Sequence, residues 1–334
     1  MSINPHAGAE GASYFIDSPL KPTRSYTEVL RHMAARDWVK RNRDRDVKSM
    51  SREERDCFNR LVLLEMAEVA AVLKRLRRAE KTSSQGANNV VWIQGPAAAG
   101  KTTVALEAAA AFCDPDSVGH LAVPSEDQIS YAHIPVAIIA GQGNQMAGLQ
   151  SGACEWLGQG PGRSGDDSGT RFAEMLTRCR TRVLIIDDLH AVKGGSSSVN
   201  SLRVLLNKVP TLLVLVSLPP HEPRESNVAT ALTEDSYAAK QFRVRTTVLR
   251  LGKIVHVDFD AFANNVRRRL KQFKLLNPCP QEEDIIEYLW VQSKSVERVE
   301  TLAQVYNLLS GVAAQAVGCE EAVTLPSVME ATCD

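Results

Sequence analysis

The stretch Gln94-Gly95-Pro96-Ala97-Ala98-Ala99-Gly100-Lys101-Thr102-Thr103 fits the pattern G-x-x-x-x-G-K-[ST]. It follows the apolar run Asn89-Val90-Val91-Trp92-Ile93 and precedes the helix-prone Val104-Ala105-Leu106-Glu107-Ala108-Ala109-Ala110-Ala111. Strand, glycine-bounded loop and helix in that order form a phosphate-binding loop. The glycines let the loop curl, so that backbone N–H groups and the helix N-terminus converge on phosphate oxygens. Gly95, Pro96, Ala97, Ala98, Ala99, Gly100, Lys101, Thr102 and Thr103 are therefore the candidate nucleotide-binding residues. Lys101 is placed to reach the β/γ-phosphates of ATP, and the Thr102 hydroxyl to ligate Mg²⁺.

About ninety residues further on, Arg182-Val183-Leu184-Ile185-Ile186-Asp187-Asp188-Leu189-His190 supplies the second half of that chemistry. Four apolar residues make a central strand, and two carboxylates stand at its C-terminal end, where open α/β sheets bind ligands. Asp187 is the candidate for the Mg²⁺ shell. Asp188 is the candidate to orient or deprotonate an attacking water; the alternative is an N-cap for the next segment. Many ATPases place Glu there, and Asp reaches about 1.5 Å less far, so slow or partner-dependent hydrolysis is expected.

Strands alternate with helices from Asn89 on, which predicts a parallel sheet with helices on both faces. Ile134-Pro135-Val136-Ala137-Ile138-Ile139-Ala140 and Pro210-Thr211-Leu212-Leu213-Val214-Leu215-Val216-Ser217 read as further buried strands, and Val255-His256-Val257-Asp258-Phe259 as the fifth. Ser217 could sense the γ-phosphate or the water, or simply form a turn before Pro219 and Pro220. Arg243 or Arg245, in Gln241-Phe242-Arg243-Val244-Arg245 ahead of an amphipathic strand-like segment, could reach a neighbouring subunit's nucleotide or pair on the surface. The Gly-rich loop at 158–165 is a surface connection or projects towards a partner.

The expected organisation is a loose arm at 1–24 and a helical N-terminal region at 25–86. A P-loop core follows at 87–260, then a small helical lid at 261–325 and a tail at 326–334. In the N-terminal region Ser51 and Glu54 form a capping-box pattern that opens one long helix through Leu61 and Leu76. In the lid, helices are expected at 262–276, 282–292 and 299–317, with Arg298 a candidate phosphate contact and a loose end after Cys319.

The 334 residues carry no net charge, so affinity for nucleic acid must come from local patches. From Lys21 to Lys81 there are roughly seventeen basic and ten acidic side chains. That surplus points to an anionic partner or to a solvated helical face laced with ion pairs. The clusters at 40–45 and 267–271 are the candidate DNA surfaces, contacting backbone phosphates rather than stacking bases. The seven cysteines stand singly, without metal-ligand spacing. No apolar run is long enough for a bilayer and the N-terminus lacks signal-peptide features, so no membrane partner and a cytoplasmic location are expected.

The Gly-Lys-Thr loop, Ile134-Pro135-Val136, Trp156-Leu157-Gly158, Ile185-Ile186-Asp187-Asp188-Leu189-His190 and Gln241-Phe242-Arg243 together resemble the TniB/TnsC/MuB-type AAA+ ATPases of DNA transposition. The resemblance covers roughly residues 55–325, lid included. It implies an ATP-dependent DNA-binding regulator that forms homo-oligomers on DNA and recruits or activates a partner transposase. It also implies Lys101 and Thr102 as phosphate and Mg²⁺ ligands, Asp187 as the metal-shell acid and Arg243 as the intersubunit arginine. Asp188 departs from the family's usual Glu, and Ser293-Lys294-Ser295-Val296-Glu297-Arg298 from its small-residue lid motif. Two other readings use the same core. One is a signalling or defence switch that recruits a protein without DNA; the other is a nucleotide-loaded scaffold that hydrolyses negligibly.

Overall fold

In the computed structural model, the described residues are 24–61, 67–83, 89–97, 99–112, 120–121, 131–132, 134–141, 146–156, 168–219, 227–252, 257–277, 279–295, 299–317 and 322–333. The expected arm up to residue 23, Ala98, the loop at 158–165 and Arg298 lie outside them, whereas Arg24 already belongs to a helix.

Five parallel strands form the central sheet: β1 (Val90–Gln94), β4 (Val136–Ala140), β5 (Val183–Asp187), β6 (Leu212–Ser217) and β7 (Thr246–Arg250), in the order β4-β5-β6-β1-β7. Two short antiparallel strands, β2 (His120–Leu121) and β3 (Tyr131–Ala132), stand apart from it. The runs in β1, β5 and β6 are buried along their whole length, as a sheet covered on both faces requires. β7 differs: only Leu249 is buried.

The fifth strand is therefore Thr246–Arg250 and not the stretch at 255–259. Residues 257 and 258 are not in a strand, and at Phe259 a helix begins, because the Asp258 carboxylate accepts from the Ala261 N–H at 2.7 Å and caps it. An apolar run with an N-cap inside it becomes a helix entry.

The sheet is covered by α4 (Lys101–Phe112), α5 (Met146–Trp156), α6 (Ser168–Arg178), α7 (Ser196–Lys208), the short α8 (Val228–Ala231) and α9 (Tyr237–Val244). Alanines at 105, 108, 109 and 110 are all buried, and so small a surface lets α4 pack closely on β4, β5 and β6. Beside α4 lie α1 (Arg24–Asn42), which also touches β4, and α3 (Ala67–Ser83), which also touches β1 and β6. His32 Nε2 meets Glu107 Oε1 at 2.9 Å, and Arg36 lies 3.6 Å from Oε2, tying α1 to the helix that follows the loop. Burial alone would raise the Glu107 carboxyl, but these two partners outweigh it and hold it below the usual range.

The expected capping box is present: the Ser51 N–H donates to Glu54 Oε2 at 2.8 Å and the Glu54 N–H to Ser51 Oγ at 3.2 Å. The helix it opens, α2 (Arg52–Leu61), packs on the lid, whereas α3 packs on the core. The two expected halves of one long helix thus serve different cores.

The lid comprises α10 (Phe259–Leu270), α11 (Glu282–Gln292), α12 (Leu302–Ala316) and α13 (Leu325–Cys333) around Phe262, Ile285, Leu289, Leu309 and Val328. Thr301 and Gln304 close a reciprocal capping box on α12. α13 occupies the region expected to be loose, with Val328 buried in the lid core. Asn59 of α2 joins the N-terminal region to the lid: its fully buried side chain accepts from the Lys274 N–H at 2.8 Å and donates to the Ala313 carbonyl at 3.4 Å. Lys274 Nζ in turn donates to the carbonyls of Arg43 and, at 2.8 Å, Arg45.

Candidate nucleotide-binding site

The loop after β1 is held from both neighbouring strands. The Gly95 N–H donates to the Ser217 carbonyl at 3.3 Å, and the Leu251 N–H to the Gln94 carbonyl at 2.8 Å. At Gly95 a Cβ would stand 3.0 Å from Leu251 Cβ and 3.2 Å from its carbonyl oxygen, so the close approach favours glycine. The Ala99 N–H turns back to the Pro96 carbonyl at 3.3 Å, and Gly100 adopts φ 77°, a left-handed conformation natural to glycine. α4 starts immediately afterwards. Its first amides have no partner within the helix and form the positive end of its dipole.

Lys101 is buried, and its Nζ donates to the Pro96 carbonyl at 2.6 Å, so the side chain lies folded over its own loop. Burial lowers its pKa, against the pull of the Asp187 and Asp188 carboxylates. Thr102 Oγ1 donates to Asp187 Oδ2 at 2.8 Å, and the Asp188 N–H donates to Asp187 Oδ1 at 2.9 Å. Burial raises the Asp187 carboxyl above the ordinary value; the Thr102 bond opposes this, and the Asp188 charge adds to it. An exposed hydroxyl bonded to a buried carboxylate offers the hard oxygen donors that Mg²⁺ takes, on a side that solvent and ligand reach. Among the described residues no three His, Cys, Asp or Glu side chains cluster as a metal site. The ion would need phosphate and water oxygens to complete its shell.

Asp188 is exposed and sits in the left-handed region at φ 52°, ψ 42°. It holds the N-cap position of the 3₁₀ turn Leu189–Ala191, yet its side chain makes no capping hydrogen bond. The turn is fixed by backbone instead: the Gly141 N–H donates to the Asp187 carbonyl at 2.7 Å and the Ala191 N–H to the Asp188 carbonyl at 2.8 Å. Gly141 belongs to no sequence motif, and its role shows only in the fold. A Cβ there would stand 2.5 Å from the Asp188 carbonyl oxygen and 2.7 Å from Val192 Cγ2, so the end of β4 must be bare for the acidic turn to exist.

Ser217 pairs in register with Gln94, one strand from the loop. Its fully buried hydroxyl accepts from Trp92 Nε1 at 2.8 Å and donates to the Leu218 carbonyl at 2.7 Å. Arg243 lies at the end of α9, where it donates to the carbonyls of Leu232 at 2.9 Å and Glu234 at 2.7 Å, and Arg245 donates to Asn207 Oδ1 at 2.7 Å. Lys101, Thr102, Asp187 and Asp188 are thus gathered at one place. Arg243 is engaged with the turn between α8 and α9 instead.

The cations of the two candidate DNA surfaces are largely engaged. Arg267 NH2 lies 2.6 Å from Glu283 Oε2, and Arg269 is buried, donating to Ser310 Oγ at 2.6 Å with its pKa pushed down by burial to about 10. Arg45 pairs with Glu54 at 2.8 Å.

No family model matches the sequence, and no curated protein matches it. Solved structures do. Orc1 of Aeropyrum pernix, determined in complex with DNA, is similar at TM-score 0.50 and 18% identity, over 82% of this chain and 66% of that one. Domain III of the Thermotoga maritima replication initiation protein DnaA follows at 0.47 and 12%, over 80% and 92%. PCH-2 of C. elegans gives 0.43 and 13%, over 82% and 69%. Identities this low speak for the fold alone. With its loop after β1, its acidic pair after β5 and its five-stranded parallel sheet, the chain has the AAA+ type of P-loop α/β fold.

Proposed function

We propose that this chain is a Mg²⁺- and ATP-binding AAA+ regulator that hydrolyses slowly, forms homo-oligomers and binds DNA through its phosphate backbone. The Thr102–Asp187 hydrogen bond carries the nucleotide half of the reading, because it joins the loop's hydroxyl to the acidic strand end 85 residues away. In this reading the loop amides and the α4 N-terminus bind phosphate oxygens, and Lys101 exchanges the Pro96 carbonyl for a phosphate. Thr102 and Asp187 hold Mg²⁺, which supplies charge neutralisation on the phosphates. Asp188, with its carboxylate free of capping bonds, orients the water. Ser217 senses the nucleotide only if it gives up the Leu218 carbonyl. Arg243 serves a neighbouring subunit only if it leaves the Leu232 and Glu234 carbonyls.

The DNA half is supported by the resemblance to transposition ATPases, which also supplies the transposase or integrase-type partner, and by the basic surplus of the N-terminal region. The test is binding to a labelled random-sequence duplex with ATP, ADP or no nucleotide at two salt concentrations, for the wild type and Lys101→Ala. ATP-promoted, salt-sensitive binding that Lys101→Ala abolishes is the expected result. Nucleotide binding without DNA binding at either salt would leave the protein-recruiting switch as the better reading.

A further inference from the structure

α3 has one apolar face and one cationic face. Val72 and Leu76 point inward and belong to the main core, with Leu73 and Ala79 packed partly against it. Lys74, Arg75, Arg77, Arg78 and Lys81 are all exposed. Positions 74, 77, 78 and 81 follow the i, i+3, i+4, i+7 spacing of a single helix face, running roughly 10 Å along the axis. Glu80, the acid inside this run, is turned to Arg182 at 3.3 Å. Among the described residues no ion pair or hydrogen bond engages the side chains of Lys74, Arg75, Arg77 or Lys81.

That distinguishes α3 from the two clusters singled out by sequence. Around 40–48 the cations are interspersed with Asp37, Asp44 and Asp46, and Arg45 is paired with Glu54. On α10, Arg267 is paired and Arg269 is buried, leaving Arg268 and Lys271 exposed. Cations already neutralised within the protein release few counterions on meeting a polyanion, whereas unpaired ones release one each. The surface also favours a nucleic acid over a lipid bilayer. The apolar face of α3 is spent on the core, and among the described side chains none of the exposed large hydrophobic ones lies on this helix, so its cationic face offers nothing to insert among acyl chains.

We propose that the outer face of α3, with Lys74, Arg75, Arg77 and Lys81 on one rigid helix, is the surface that contacts the sugar–phosphate backbone of double-stranded DNA. This rests on the DNA-binding reading above and assigns it to a helix that packs on β1, β6 and α4. Contacts of this kind set affinity and salt dependence and carry no base sequence preference.

The experiment titrates a random-sequence duplex against the full chain with ATP over a salt series. The variant Lys74→Gln/Arg75→Gln/Arg77→Gln/Lys81→Gln is compared with Arg268→Gln/Lys271→Gln and with a charge-keeping Lys74→Arg/Arg75→Lys/Arg77→Lys/Lys81→Arg. The α3 glutamine variant should bind at least about tenfold more weakly, with the slope of log affinity against log salt reduced by about 3 to 4. Nucleotide affinity and thermal midpoint should stay unchanged, and the charge-keeping variant should bind as the wild type does. An unchanged slope in the glutamine variant, or a charge-keeping variant as weak as the glutamine one, overturns the assignment to α3 while leaving DNA binding intact. A wild type that binds phosphatidylserine vesicles but no duplex, or binds neither, overturns the DNA-binding reading itself, and the α3 proposal with it.

Discussion

Thr102 Oγ1 and Asp187 Oδ2 lie 2.8 Å apart, so the hydroxyl of the phosphate loop is hydrogen-bonded to the acid at the end of β5, although β6 stands between β5 and β1 in the sheet. The acid is the buried member of the pair: Asp187 is 6% exposed while Thr102 is exposed, and burial raises the acid's carboxyl above the ordinary carboxylate value. A raised carboxyl favours the folded state when protonated, so its contribution is fully present below the unfolded pKa and is lost as pH rises through the folded one. Once ionised, the carboxylate is a charge held in a buried place, which disfavours the folded nucleotide-free protein. Asp187→Asn should raise the stability of the nucleotide-free protein by about 1 kcal/mol near neutral pH, with the difference vanishing in acid. The same variant should lose Mg²⁺-dependent tightening of ATP binding. Denaturant melts at several pH values and ATP titrations with Mg²⁺ or EDTA check the two halves; a destabilised variant at neutral pH would contradict the first.

Asp188 offers a test of reach. Its carboxylate is exposed and uncapped, on a backbone held in the left-handed region. Asp188→Glu extends the carboxylate by about 1.5 Å, and should raise steady-state ATP turnover several-fold. Asp188→Asn should lower turnover by about 10- to 100-fold with nucleotide affinity unchanged. Equal rates for all three forms under saturating Mg²⁺ and ATP would remove Asp188 from the chemistry.

Gly141 carries the acidic turn from beneath. A methyl group there meets the Asp188 carbonyl oxygen at 2.5 Å, a distance that backbone must move to relieve. Gly141→Ala should cost about 1 to 3 kcal/mol and reduce turnover in step with displacement of Asp188. Chemical denaturation and ATPase assays on the same preparation check both, and a variant with wild-type stability and rate would show that the turn relaxes freely.

The contrast between these residues explains what the sequence could reveal. Lys101, Thr102 and Asp187 were legible because a glycine-bounded loop and an acid-tipped apolar run each announce a local backbone requirement. β1, β4, β5 and β6 were legible because buried parallel strands read as continuous apolar runs. β7 shows in the sequence only as an amphipathic strand-like segment: at the sheet edge only Leu249 is buried, so Thr246-Thr247-Val248-Leu249-Arg250 competes poorly with the more apolar stretch at 255–259 for the place of fifth strand. Gly141 was invisible because its constraint comes from a turn 47 residues away, a contact that only the folded sheet creates. Arg269 is the same lesson in charge. Within Arg267-Arg268-Arg269 it reads as surface, and only the packing of α10 against α12 turns it inward to Ser310.

Ser217 and Trp92 separate a structural hydroxyl from a sensing one. The Ser217 hydroxyl accepts the indole N–H at 2.8 Å in a fully buried position. Ser217→Ala strands that N–H and should cost about 1 to 3 kcal/mol. Adding Trp92→Phe removes the stranded donor, so the double variant should be more stable than the sum of the two single losses predicts, with a coupling of about 0.5 to 2 kcal/mol. Turnover decides the function. If Ser217 serves only Trp92, the double variant recovers ATPase activity together with stability, because the defect was in the packing of β1 against β6. If Ser217 also senses the nucleotide, stability recovers and turnover stays at the Ser217→Ala level, since no change at Trp92 can restore a hydroxyl to the end of β6.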